Sequence, residues 1–109
     1  TGLSINANSY YEIAKKEVTV SKLPVVNAII AISLTNSGAQ TLSIKIGELV
    51  LDSISYSVTA KPGKSFQLSS SKLTAVDNDT WANWCDGTIP ISAENADLGT
   101  PGTANSLCQ

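Results

Sequence analysis

The residues able to do chemistry in this chain are few and unevenly placed. Cys85 and Cys108 lie 23 positions apart, with Trp81 and Trp84 just before the first of them. Asp77, Asp79, Asp86, Glu94 and Asp97 crowd the same C-terminal stretch, and Lys61, Lys64 and Lys72 precede it. Neither histidine nor arginine occurs anywhere in the 109 residues. The usual general base and commonest metal ligand are therefore missing. So is the forked cation that reads guanine and grips phosphate.

The cysteines do not form a Cys-x-x-Cys redox pair, and no further Cys or His is present to complete a zinc site. A thiol nucleophile would want a histidine partner. What remains is a structural disulfide or two unpaired thiols. Cysteine usage favours the disulfide, which implies an oxidising compartment. Closing a loop of about 24 residues would contribute on the order of 3.5 kcal/mol in the chain-entropy picture.

The other candidates each have a plain reading beside the functional one. Asp77-Asn78-Asp79 begins like a calcium loop, but Ala82 and Thr88 stand where an EF-hand needs Gly and Glu. An irregular site from Asp77, Asp79 and Asp86 is the metal candidate; solvated loop carboxylates are the default. A glycosidase-type acid pair has only generic support. Lys61 and Lys64 flank a Pro-Gly turn and could touch phosphate or an anionic glycan, or simply cap a loop. Trp81 and Trp84 could stack on sugar rings or bases; the plainer reading packs them over the disulfide, tying the tail down. Asn78-Asp79-Thr80 has the form of a glycosylation acceptor. No serine–histidine or cysteine–histidine pair can be assembled, so the reading is a non-enzyme without cofactor.

Composition sets the frame for these residues. The chain has the length of one domain, and 42% hydrophobic against 15% charged residues argues for a packed core. A net charge of −2 without arginine makes any nucleic-acid contact weak, salt-sensitive and sequence-blind. The longest apolar stretch, Leu23 to Leu34, is broken by Pro24, Asn27 and Ser33 and is too short to span a bilayer. Starting at Thr1 and lacking methionine, the sequence is expected to be a segment of a longer precursor.

Strand signals position the rest. Ser9–Ala14, Val18–Val20, Ala28–Leu34, Leu42–Ile46, Leu49–Val58 and Ser65–Leu68 are rich in β-branched and aromatic residues. Period-two alternation puts Val50, Asp52, Ile54, Tyr56 and Val58 on one face. Leu49, Leu51, Ser53, Ser55 and Ser57 take the other. Asn36-Ser37-Gly38 and Gly47-Glu48 are each short enough to close a hairpin. Residues 1–68 thus read as strands and 69–109 as a loop-rich segment of one domain, held down by the disulfide.

ANSYYEIAK at 7–15, SLTNSG at 33–38, VLDSISY at 50–56 and GKSFQL at 63–68 occur in an order similar to that of the lamin-tail domain. The ending from Asn83 to Cys108, NWCDGTIPISAENADLGTPGTANSLC, also resembles it, in the form found in secreted and surface proteins of bacteria. The resemblance implies an all-β, immunoglobulin-like sandwich that serves as a binding or targeting accessory beside other domains of its parent protein. It also implies envelope glycan or nucleic acid as partners. The family's opening strands have no counterpart here. The sandwich is therefore expected to be incomplete on its N-terminal side, with the missing strands on the parent chain or supplied by another chain in a homo-oligomer. A nuclear chromatin-binding tail is the remaining family role; the paired cysteines, acidic charge and lack of arginine count against it.

Overall fold

A computed structural model describes residues 3–57 and 59–109. It is β-rich, built as paired two-stranded ladders with one disulfide. The first pair is short and parallel: β1 (Ile13–Ala14) lies beside β2 (Ala28–Ile29). Asn27 fixes the approach, its Oδ1 accepting the Glu12 N–H at 2.7 Å and its own N–H donating to the Glu12 carbonyl at 2.8 Å.

Parallel neighbours need a crossover, and here it contains α1 (Val18–Ser21), a single helical turn. The strand expected at Val18–Val20 is therefore corrected to helix. Ser21 N–H bonds back to the Glu17 carbonyl at 2.8 Å, and Lys22 ends the turn in the left-handed region at φ 59°. Chain reversal overrides the β propensity of its two valines. Ala28–Leu34 is likewise shorter than expected as a strand, because Ile32 N–H turns back onto the Ile30 carbonyl at 2.8 Å. Asn36-Ser37-Gly38 closes no hairpin: the chain enters β3 there, but β3 pairs forward.

β3 (Ala39–Ile46) and β4 (Leu49–Ser57) form the long antiparallel hairpin expected at Gly47-Glu48. Gly47 takes φ 57° at the first central position of the two-residue turn, where a side chain would be strained. The inward face alternates as expected: Asp52, Ile54 and Tyr56 are half-buried while Ser53, Ser55 and Ser57 are exposed. Val58, placed on the same face by the sequence pattern, lies outside the described residues. Near the turn the pattern breaks, and Val50, expected on the face of Ile54, lies opposite Lys45 on the other. The register shifts between Ile44 and Lys45, so Ile44 pairs with Asp52 but Lys45 with Val50, leaving Leu51 as the extra residue. Cross-strand partners share a face, so Leu49, opposite Ile46, moves to the side of Ile54.

The segment expected to be loop-rich carries more strand than its composition suggested. β5 (Phe66–Leu68) pairs antiparallel with β6 (Trp84–Asp86), and β7 (Pro90–Ser92) with β8 (Asn95–Leu98). Ser65 joins them: its N–H donates to the Leu98 carbonyl and its carbonyl accepts the Gly87 N–H, both at 2.8 Å. A bridge between Lys64 and Leu98 completes the junction. Gly87 is buried there, and a Cβ on it would stand 2.6 Å from Ser65 Oγ and 2.9 Å from the Leu98 carbonyl oxygen.

Among the described residues no hydrophobic side chain is buried, whereas polar Gln67 and Ser69 are. The chain exposes 7765 Å², against about 5,800 Å² for a folded monomer of this mass. The deepest packing lies around β5 and β6.

Candidate functional site

β5 and β6 sort their side chains by pleat. Phe66 faces Asp86 and Leu68 faces Trp84 on one side of the ladder; Gln67 faces Cys85 on the other. The front side forms one wall of a cleft of about 440 Å³, whose opposite wall is Leu42, Ile54 and Tyr56 of the β3–β4 hairpin. Lys61 and Lys64 stand at the rim.

The aromatic wall is a three-ring cluster. Phe66 lies 4.9 Å from Trp81 and 5.8 Å from Trp84 by ring centroids, the latter pair only 6° from parallel. Trp84 is aimed by its indole N–H, which donates to the Asn78 carbonyl at 2.8 Å. Asn78 is in turn anchored to the hairpin, donating from Nδ2 to Asp52 Oδ2 at 2.5 Å. Two 3₁₀ turns, Asp77–Asp79 and Trp81–Asn83, set these residues over the front of β6.

The other wall is tied by Gln40. Its Oε1 accepts the Thr35 N–H at 2.7 Å and the Tyr56 hydroxyl, and its Nε2 donates to the Ser33 carbonyl at 2.9 Å. One amide side chain thus does for residues 33–35 what a neighbouring strand would do. Leu34 and Asn36 are held at the cleft edge in consequence.

Charge at the rim is asymmetric. Lys61 Nζ sits 2.5 Å from Asp86 Oδ2, whereas Lys64 has no carboxylate partner among the described residues. Each of the four residues read from sequence as ligand contacts, Lys61, Lys64, Trp81 and Trp84, lines this one cleft. Sequence reasoning missed Phe66, Tyr56 and Gln40. Nothing in a short strand pattern distinguishes a residue facing a cleft from one facing a filled core.

The back of the ladder carries the C-terminal tail. Cys85 is bonded to Cys108 with their Cα atoms 5.7 Å apart. Gln67 Nε2 donates to Ser106 Oγ at 2.8 Å, Asn105 Nδ2 to the Leu68 carbonyl at 2.7 Å, and Cys108 N–H to Ser69 Oγ at 3.0 Å. The disulfide expected from cysteine usage is present, but the tryptophans do not pack over it. Trp84 and Cys85 are consecutive in a strand and point to opposite faces, so the rings stack on Phe66 instead.

Other sequence candidates are not assembled. Among the described residues no three of His, Cys, Asp and Glu are grouped to hold a metal. Asp86 is engaged by Lys61, apart from the 3₁₀ turn that bears Asp77 and Asp79. The glycosylation acceptor is occupied, since Asn78 Nδ2 is the atom bonded to Asp52. The expectation that the chain has no Ser-x-x-Lys motif is corrected: Ser69 and Lys72 have that spacing, known from one acyl-transfer class. Ser69 is 4% exposed and accepts the Cys108 N–H, so its hydroxyl serves the tail. Glu94 and Asp97 are exposed around β8.

Among the described residues no helix is long and apolar enough to cross a membrane. Comparison of the chain with protein-family models, with curated proteins and with solved structures finds no match in any of the three.

Proposed function

We propose that this chain is a non-catalytic accessory module of a secreted or cell-surface bacterial protein, of the lamin-tail, immunoglobulin-like kind. It holds a ligand in the cleft between the β3–β4 hairpin and the β5–β6 ladder. The observation that carries this reading is the convergence of Lys61, Lys64, Trp81 and Trp84 on a single cleft. Stacked indoles beside a free ammonium suit a sugar ring bearing an acidic group, and an anionic envelope glycan is the ligand class put forward. The disulfide supports the oxidising compartment that this location requires.

Trp81 and Trp84 make the test direct, because their fluorescence reports on the cleft. Titration with anionic envelope glycans is expected to give a saturable change. Lys64→Ala should weaken that change about tenfold, the effect of one charge-assisted hydrogen bond of ~1.5 kcal/mol. DNA and calcium are run alongside. A flat response to every glycan, or binding indifferent to Lys64, would sink the reading.

A second reading is favoured by one observation, the exposed apolar surface. In it the module is structural and completes its sheet by pairing with another chain. Both edges of the β3–β4 hairpin lack backbone partners among the described residues, and open edges template such pairing.

A further inference from the structure

We propose that the inner face of the β3–β4 hairpin is an interface between two copies of this chain, each laying its hairpin tip into the cleft of the other. It shares with the second reading above a partner chain at the hairpin, but joins faces where that reading joins edges. Ile44, Ile46 and Leu49 share that face and are 58%, 67% and 63% exposed. They continue the apolar lining of Leu42 and Ile54 out to the turn. The register shift at Leu51 is what brings Leu49 onto this side. The opposite face is polar along most of its length, with Thr41 and Ser55 hydroxyls 2.8 Å apart, and carries Val50 opposite Lys45 near the turn. The hairpin thus leaves Ile44, Ile46 and Leu49 uncovered together on its inner face.

A two-fold contact must match residue i with j and j with i. Antiparallel packing of two such hairpins meets that condition. The tip of each, Ile46 and Leu49, lies over the base of the other, where Leu42, Ile54 and Tyr56 line the cleft. Charge agrees with this arrangement. Glu48 is carried at the tip, and the cation at the cleft rim without a carboxylate partner among the described residues is Lys64.

The chain exposes 7765 Å², an excess of roughly 2,000 Å² over a folded monomer of its mass, and Ile44, Ile46 and Leu49 contribute to it. A second copy and a glycan would compete for the same cleft.

The test is light scattering and sedimentation of the whole chain across a wide concentration range. The expected result is a particle of twice the 11.4 kDa chain mass, with an unfolding midpoint that rises with concentration. Glu48→Lys and Lys64→Glu should each weaken association tenfold or more, and together restore it. Both side chains are exposed, so circular dichroism should find each variant folded. Leu49→Asp, also at an exposed position, should abolish the dimer. A dimer indifferent to all three substitutions would overturn the interface. A monomer whose stability rises when an apolar strand peptide is added overturns the second copy but spares the strand-pairing reading. A monomer indifferent to the peptide, with a concentration-independent midpoint, removes both.

Discussion

Gln67 and Cys85 face each other across the β5–β6 ladder on the side turned away from the cleft, and the C-terminal tail lies over both. The covalent clasp and the aromatic wall therefore sit back to back on one short ladder. What holds Trp84 and Asp86 in place for the cleft is attached behind them. Stability and site geometry are coupled through the pleat of three residue pairs.

The first prediction follows from that coupling. Replacing both cysteines by serine should cost on the order of 3 kcal/mol in denaturant unfolding, as expected for a closed loop of this size. It should also alter tryptophan fluorescence under native conditions. Unchanged fluorescence with lowered stability would mean that the clasp does not order the front of the ladder.

Asn105 offers a finer probe of the tail. Its Nδ2 serves the Leu68 carbonyl, and its Oδ1 accepts the Thr100 hydroxyl at 2.6 Å. Asn105→Ala leaves both groups half-buried without these partners and should cost about 1–3 kcal/mol. Urea titration of the oxidised protein measures it. A cost within error of zero would show that water replaces the side chain.

Two glycines should respond in different ways to alanine. At Gly87 the new Cβ collides with Ser65 Oγ and with the Leu98 backbone, which cannot move without breaking the junction of β5, β6 and β8. The expected loss is about 1–3 kcal/mol from overpacking. At Gly47 there is open space but φ is 57°, so only backbone strain of roughly 1–2 kcal/mol applies. Thermal unfolding of the two variants separates them: amide exchange near Ser65 should quicken in Gly87→Ala alone.

The Lys61–Asp86 pair should matter little to folding. The side chains are 63% and 27% exposed, and solvent screening leaves such pairs about 0–1 kcal/mol. Lys61→Ala should lower stability by less than 1 kcal/mol, and the difference should shrink in high salt. A salt-independent loss of several kcal/mol would show a structural role that its exposure does not suggest.

The parts of the fold legible in the sequence were those with local signals. The two-residue turn at Gly47-Glu48 and the alternation from Asp52 to Tyr56 are written in residue types, and both are present. The disulfide was legible from what the chain lacks. The register shift at Leu51 was not, since an extra residue in one strand is visible only against its partner. Nor were β7 and β8, whose composition reads as loop and whose hairpin joins Ser65, far away in sequence, through Leu98. The valines of α1 misled because their strand propensity is weaker than the need to cross over between parallel neighbours. At the cleft, Lys61, Lys64, Trp81 and Trp84 could be singled out as residue types; that they converge depends on the Asn78 and Gln40 side chains.

The Cys85–Cys108 bond also has a mechanical consequence. Tension applied along the chain passes through the sulfur–sulfur link and bypasses residues 86–107. While the bond is intact, pulling cannot extend β7, β8 or the tail that covers Gln67. The load falls first on the β3–β4 hairpin and the short parallel pair, which no covalent link shields. In a single-molecule extension trace the protein should release less contour length oxidised than reduced, the difference being the hidden loop.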